Sequence, residues 1–548
     1  MRRQLSIIYI VLLALLVSEN INAQTKRTIH VAKAGTLSNY ISSSEKYQIE
    51  ELTLTGEING TDFGYLREMA GQTSRRSKYQ SETEGKLKVL DISGVKIVSG
   101  GSSYIVEDRY NFYDLFKLEF QLVEDDEIPA YVFDDCTNLT TIKISDNVKS
   151  IGHYAFSNTT WYNNQPDGLV YIGKVLYGYK GEMPENTKVT IKDGTLGIGG
   201  SAFVGCKGLV SISIPNSVVR IGVKWSEAFL IVSGVGAFAG CTGMSAIVLP
   251  QNLSIIGCDS FYGCNLNYMS IQSTVNPLLD SSLNACTLGA LIWNPAEAIL
   301  PDNLPNIPTN PNFILYVKDS SYATYKVRNV VVNGAANYIY LSDDGGNFYC
   351  PQAFTAKGIS YSHNYSMTTG GSGKGWESIV LPFDVQKISH ETKGELIPFA
   401  AYNQGQDKKP FWLYRWGGSG FVKASSIAAN TPYIIAMPNQ STYNSDYILT
   451  GNVTFSAENV SIPVTPSFGG TFMPAYGTIK QSASVYALNV VNKYENVTGG
   501  YDAGSHFISN LRDVRPFEAY ISQGSSTRST ININTSSNHK NHIVNEKR

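Results

Sequence analysis

The sequence predicts a mainly β protein with short turns and helices: a repeat solenoid followed by a C-terminal, all-β, sandwich-like domain. Three observations predict it. First, Ala-Phe-Val-Gly-Cys-Lys-Gly-Leu-Val-Ser-Ile-Ser-Ile-Pro (Ala202 to Pro215) returns as Ala-Phe-Ala-Gly-Cys-Thr-Gly-Met-Ser-Ala-Ile-Val-Leu-Pro (Ala237 to Pro250). Two further copies run from Val132 to Ile144 and, one residue short, from Ser260 to Ile271. Second, the spacing repeats: Phe133 to Phe156 is 23 residues, and so is Phe238 to Phe261. A period of roughly 20–29 residues with Leu-x-x-Ile-x-Ile at its centre marks a leucine-rich repeat. Third, after Gly334 short strand-like runs alternate with Gly, Asn and Pro turns, the pattern of a β-sandwich.

Residues 1–23 carry the marks of a secretory signal peptide. Arg2 and Arg3 open it, Ile7 to Val17 is an 11-residue apolar run, and Ile21-Asn22-Ala23 ends in a small residue. The run is too short to span a membrane, no Cys follows it, and Gln24 is the expected mature N-terminus. Residues 24–127 read as an N-terminal cap with divergent repeats, in which Leu52-Thr-Leu-Thr-Gly and Leu87-Lys-Val-Leu-Asp-Ile-Ser-Gly are repeat-like strands. Between them Gly71 to Gly85 is polar, with Arg75, Arg76 and Lys78, and is expected to be a loop. Glu124-Asp125-Asp126-Glu127 lacks the spaced oxygen ligands of a calcium loop and is expected to be a solvated turn.

Residues 128–333 form the solenoid proper. In Leu209-x-x-Ile212-x-Ile214 the period of 2 sets both Ile on one strand face, and Leu209 turns into the same core. Pro215 ends the strand because it cannot donate to a ladder. A second apolar step follows at Ile221-Gly222, as at Ile151-Gly152 and Ile256-Gly257, and Ala202-Phe203 fills the convex side. Leu169 to Tyr179 alternates like a strand pair, and Val189 begins a degenerate repeat strand. Phe203 to Phe238 is 35 residues, so an insertion lies around Trp225, which either caps a turn or contacts a ligand.

The pattern Ala-Phe-x-Gly-Cys-x-x-Leu-x-x-Ile-x-Ile-Pro-x-x-Val-x-x-Ile-Gly resembles the leucine-rich repeats of BspA-like surface proteins of the Bacteroidetes. Trp161 to Pro184 is similar to a variant repeat of that family, and the resemblance covers Leu37 to about Val327. It implies a secreted or surface-displayed solenoid, with adhesion to host matrix proteins or other bacteria known among members. It carries no universal binding motif, so no functional residue transfers. The Trp376-Glu-Ser-Ile-Val-Leu-Pro-Phe-Asp stretch is similar to C-terminal modules that accompany such repeats.

Residues 334–533 form the C-terminal domain and 534–548 an Asn/Ser-rich tail expected to be disordered. Trp412, Tyr414 and Trp416 alternate along one strand and share a face; they either stack on sugar rings or fill a core. On the solenoid, the residues between the inward-facing Ile positions face out. These are Thr141 and Lys143, Ser211 and Ser213, Ala246 and Val248, and Tyr268 and Ser270. They are the candidate binding rows of an adhesin; the alternative is an inert scaffold whose loops or C-terminal domain bind.

The net charge of −2 and the lack of a basic stripe argue against nucleic acid as a partner. Aromatic residues make up 11%, with 34 Tyr, as in β-surfaces that bind or adhere. Cys136, Cys206, Cys241 and Cys264 share one repeat position and are expected to be packed thiols, since Cys-x-x-Cys metal spacings are absent. No cofactor motif is present: Gly370-Gly-Ser-Gly-Lys-Gly lacks the order of a phosphate loop, and Ser419 lacks a nucleophile elbow. His539 and His542 lie in the tail, and His153 and His506 have no partner evident in sequence. Three function classes stay open. One is a secreted or cell-surface repeat protein that binds an extracellular protein without catalysis. The others are a glycan-binding accessory protein of a polysaccharide-use system, and a hydrolase in the C-terminal domain.

Overall fold

The computed structural model describes residues 25–77, 80–110, 115–224, 234–277, 281–296, 310–319, 327–366, 375–399, 405–440, 443–490, 500–523 and 530–533. The expected signal peptide at 1–23, Lys78, Trp225, Gly370 to Lys374 of the glycine loop, and the tail at 534–548 with His539 and His542 lie outside the described residues. Two compact units are present. The first comprises Met1–Asn265, Ile271–Cys286 and Pro295–Pro305; the second comprises Leu266–Ser270, Thr287–Asn294 and Asn306–Arg548.

The first unit is a stack of parallel strands. Lys26–Val31, Glu51–Ile58, Val89–Ile97 and Thr141–Ile144 pair in that order, all parallel. Farther along, Thr187–Thr190 pairs with Leu209–Ser213, also parallel. The Ile-Gly steps build a second parallel ladder, in which Gly197–Ile198, Arg220–Ile221 and Ile255–Ile256 follow one another. Glycine is required here for space: a Cβ at Gly152 would sit 2.3 Å from the Ala130 nitrogen, and one at Gly257 2.2 Å from the Val223 oxygen. The repeat phenylalanines form a column. Phe203 and Phe238 stack at 5.3 Å and 4°, Phe238 and Phe261 at 5.4 Å and 12°. Each is fully buried, which contributes roughly 2–3 kcal/mol per ring through apolar burial alone.

The expected strand pair is a hairpin of Gly168–Ile172 and Val175–Lys180, and the degenerate strand is Thr187–Thr190. Two expectations are corrected in part. Gly71 to Gly85 is not a loop throughout: Gln72–Ser77 and Gln80–Glu82 are strands, and the first pairs with Ile105–Tyr110. An α-helix at Gly60–Met69 precedes them, closed by a reciprocal capping box between Asn59 and Asp62. The acidic run is a turn from Glu124 to Asp126, with Asp125 exposed, but Glu127 leaves it. Glu127 is buried in the strand Glu127–Ile128, which pairs with Ser150–Ile151, and Asp126 bonds Lys149 at 3.0 Å.

The second unit is all β. One mixed sheet runs through Ile314–Val317, Asn329–Val332, Ala335–Ser342, Phe354–Tyr365 and Gly451–Ile462, then Lys387–His390, Gly394–Pro398, Lys409–Trp416, Tyr433–Ala436 and Glu377–Ile379. Its longest pairing is antiparallel, from Phe354↔Ile462 to Tyr365↔Gly451. A second sheet orders Phe472–Pro474, Ala519–Ser522, Val485–Leu488, His506–Ser509 and Thr530–Asn532. One core gathers Ile359, Phe383, Leu413, Ile435 and Phe455; another gathers Trp376, Trp412, Tyr486, Phe507 and Ile521.

Candidate functional site

The outer faces of the repeat strands carry most of the expected binding residues. In Thr141–Ile144, Ile142 and Ile144 are buried while Thr141 and Lys143 are exposed. Ser211 and Ser213 are exposed on Leu209–Ser213, although Ile212 and Ile214 there are only half-buried. On Ala246–Leu249, Ala246 is half-buried and Val248 is 49% exposed, above fully buried Leu249. The row does not extend to the fourth copy. Tyr268 and Ser270 belong to the second unit; Tyr268 stacks on Tyr349 at 5.5 Å, and Ser270 is 2% exposed. Met269, Ser270 and Ile271 are buried in succession, so that strand is covered on both faces.

Charge divides this face. Toward the N-terminus it is laced by pairs between neighbouring strands: Lys26–Glu51 at 2.9 Å, Lys88–Glu50 at 3.0 Å and Lys143–Asp91 at 3.2 Å. Exposed pairs of this kind add little stability, but they cancel one another's field. Around Ser211 and Ser213 the side chains are hydroxyls, with Thr190 and exposed Lys188 on the neighbouring strand. That segment carries small hydroxyls and one cation, Lys188, opposite Ser211.

The aromatic strand is core and not a sugar platform. Trp412 is 2% and Tyr414 3% exposed, within the cluster that holds Trp376, Phe421 and Phe507. They do share a face, as their alternation requires, while Phe411 and Leu413 enter the other core. Both faces of this strand are therefore covered from Lys409 to Tyr414. Only Trp416, at the strand end, is half-buried, packed edge-on against Phe421 at 5.2 Å.

One titratable group in the second unit has no motif in sequence. His363 lies between two carboxylates: Nδ1 is 2.5 Å from Asp343 Oδ2, and Nε2 is 2.7 Å from Glu377 Oε2. Burial alone would lower its pKa, but the bonds and charges of Asp343 and Glu377 outweigh that and raise it to about 9. The imidazolium's bond in turn holds Asp343 below the usual carboxylate range. A small cavity of about 50 Å³ adjoins it, lined by Tyr365, whose buried hydroxyl has no hydrogen-bond partner among the described residues. With both ring nitrogens engaged, His363 is a charged bridge and has no free lone pair for base catalysis. Its partners stand 20 and 14 residues away in sequence, and the only local signal is Tyr361-x-His363-x-Tyr365 on one strand.

Two further groups lie in the first unit. Burial raises the Glu127 carboxyl to about 7 against the opposing pull of Arg220, whose guanidinium is 3.3 Å from Glu124; Lys224 also pairs with Glu124. All seven cysteines are thiols. Burial raises Cys206 to about 11 and Cys264 to about 12, and the Cys241 and Cys264 thiols donate to the Phe203 and Phe238 carbonyls, each at 3.1 Å. Thiols held this far from ionisation are packing groups. His153 bonds Ser201 at 2.8 Å and is pushed down to about 4 by burial, and His506 lies 2.7 Å from Ser505. Among the described residues, no three His, Cys, Asp or Glu side chains gather to hold a metal, and no helix is long and apolar enough to cross a membrane.

Comparison with known proteins bears on the repeats. No curated protein matches this sequence significantly. Among solved structures, a leucine-rich cell surface protein from Faecalibacterium prausnitzii is 14% identical, with 48% of this chain and 82% of that one covered, at a TM-score of 0.19. The pneumococcal vaccine antigen PcpA is 13% identical over 54% and 82%, with a TM-score of 0.25. A leucine-rich repeat protein from Bacteroides ovatus is 17% identical over 48% and 73%, with a TM-score of 0.16. Superpositions this loose carry no argument about binding. The sequence match is more direct: residues 177–229 and 231–310 match the BspA type leucine-rich repeat region, in six copies. That span starts later than Leu37, yet it contains the phenylalanine column and the Ile-Gly ladder. The chain thus carries a leucine-rich repeat region of the BspA type.

Proposed function

We propose that this chain is an exported, cell-surface repeat protein that binds an extracellular protein through the outer face of its repeat strands, without catalysis. The observation that carries the reading is the exposed row Ser211, Ser213 and Val248, set over buried Leu209, Ile247 and Leu249. Ser211 and Ser213 lie on a strand paired in parallel with Thr187–Thr190, and Val248 lies on Ala246–Leu249 in another sheet; exposed hydroxyls and an exposed Val suit an extended, weakly charged partner segment. The BspA-type repeats support a protein-binding role, and the charged start and apolar run of residues 1–17 support export. The repeat face extends through Thr141 and Lys143, where the ion pairs would set orientation more than affinity.

The test is a triple variant, Ser211→Glu, Ser213→Glu and Val248→Glu, in a binding assay against immobilised extracellular-matrix proteins. All three sites are exposed, so the melting temperature should change little. Loss of binding with an unchanged melting temperature is the expected outcome. Unchanged affinity would move the site off the repeat face.

A further inference from the structure

We propose that the second unit holds a cleft for an acidic glycan, a sugar chain bearing uronate or sulfate, beside Tyr338 on the strand Ala335–Ser342. The proposal stands on residues of the second unit alone and is independent of the repeat-face reading. The cleft has a volume of about 740 Å³, and Arg328, Asn337, Tyr338, Lys357 and Asn459 supply its larger side chains. That volume falls within the ordinary range of ligand sites.

The chemistry of the lining selects the ligand. It offers two cations and two amides, and no carboxylate is among the described residues that line it. Tyr338 and Tyr340 are 38% and 40% exposed, side by side on one strand face, with ring centroids 4.3 Å apart. Arg328 packs its guanidinium 4.8 Å from the Tyr340 centroid. Large rings left in water on a sheet that buries Ile339 and Leu341 on its other face are a recognition surface. Aromatic carbon matches the C–H face of a sugar, amides match its hydroxyls, and the cations match an acidic substituent.

The cleft is also preorganised. A Cβ at Gly358 would come within 2.4 Å of Tyr338 Cε2, so the missing side chain on the adjacent strand is what lets the ring lie there. Asn333 and Gly334, at φ +47° and +78°, make the two-residue turn that joins Asn329–Val332 to Ala335–Ser342. An acidic peptide fits less well. Ala335–Ser342 is paired along its length with Phe354–Tyr365; on its other side it pairs with Asn329–Val332 at Val332↔Ala335, and the Asn329 side chain takes the Tyr340 N–H and carbonyl, which leaves only a short edge for strand addition.

The experiment is affinity electrophoresis and calorimetry of the full secreted chain at low salt, with polygalacturonate and heparin as probes and dextran and polyglutamate as controls. Polygalacturonate or heparin should bind, and dextran should not. Tyr338→Ala and Lys357→Gln should each weaken binding about tenfold at an unchanged melting temperature. Gly358→Ala, which displaces the ring while keeping every cleft side chain, should weaken it as well and covers the case in which Tyr338→Ala fails to fold. The proposal is overturned if neither acidic polymer binds, if all three variants bind like the parent, or if polyglutamate binds as tightly as the glycans.

Discussion

The two units both rely on aromatic rings, but they place them in different ways. In the first unit the rings come from equivalent repeat positions and lie nearly parallel, Phe203 on Phe238 on Phe261. In the second, the core around Trp376 and Phe421 draws rings from unrelated strands, several of which meet edge-on, as Trp376 meets Tyr414 at 87° and Phe421 meets Phe472 at 88°. A column of equivalent contacts is assembled by translation, so each ring depends only on its neighbours. Edge-on clusters from distant segments form only when the whole sheet closes, so their energies are shared. One unit is organised along a line and the other around a centre.

The largest expected effect tests the column. Phe238 is fully buried and touches a ring on each side. Phe238→Ala should destabilise the repeat unit by about 3–5 kcal/mol, the usual range for a buried Phe. Hydrogen exchange should rise in the neighbouring repeats, near Phe203 and Phe261, and fade toward Lys26–Val31. Uniform loss of protection across the unit would show that the column is cooperative throughout and would erase the contrast drawn here.

The same contrast explains what sequence could disclose. Ala202-Phe203 and Ala237-Phe238 announce the column because each unit repeats its neighbour's contact in the same letters. The Ile-Gly ladder is legible for the same reason. Gly71 to Gly85 misleads because Gln72–Ser77 borrows pairing from Ile105–Tyr110, so a tertiary contact overrides polar composition. The helix at Gly60–Met69 was within reach, since Asn59-x-x-Asp62 is a capping box written in sequence. Trp412 and Tyr414 show the limit most clearly. Their alternation fixes that they share a face, but whether that face meets water depends on Trp376 and Phe507, which no local pattern brings to them. Tyr338 and Tyr340 have the same spacing and the opposite exposure.

The next effect tests the centre-built unit through its charged bridge. The folded pKa of His363 is about 9, above the ordinary 6.5, so the folded state binds the proton more tightly than the unfolded chain does. Its stabilisation is fully present below pH 6.5 and is lost as pH rises through 9. His363→Gln should therefore be less stable than the parent by about 1–3 kcal/mol at pH 6, and the gap should close by about pH 10. Denaturant melts at both pH values measure it. A gap that does not vary with pH would mean that packing, and not the Asp343 and Glu377 carboxylates, holds the ring.

The smallest effect lies in the first unit, where the ionic group is buried with a poor partner. Glu127 has a folded pKa of about 7 against an ordinary 4.5, raised mainly by burial. Below pH 4.5 the side chain is neutral in both folded and unfolded chains and makes no pH-dependent contribution. Between pH 4.5 and 7 the unfolded chain releases the proton while the folded chain keeps it, so stability falls as pH rises. Glu127→Gln removes that penalty. It should match the parent near pH 4 and exceed it by roughly 1–2 kcal/mol at pH 8. The direction is opposite to that of His363→Gln, which starts below the parent and rises to meet it, and the window is lower by about two pH units. Hydrogen exchange followed at Ser150–Ile151 and at Phe354–Tyr365 separates the two responses by unit, since those strands pair with Glu127–Ile128 and carry His363 respectively. A Glu127→Gln protein less stable than the parent at pH 8 would show that attraction to Arg220 outweighs burial. In that case both units would use their buried charges in the same way.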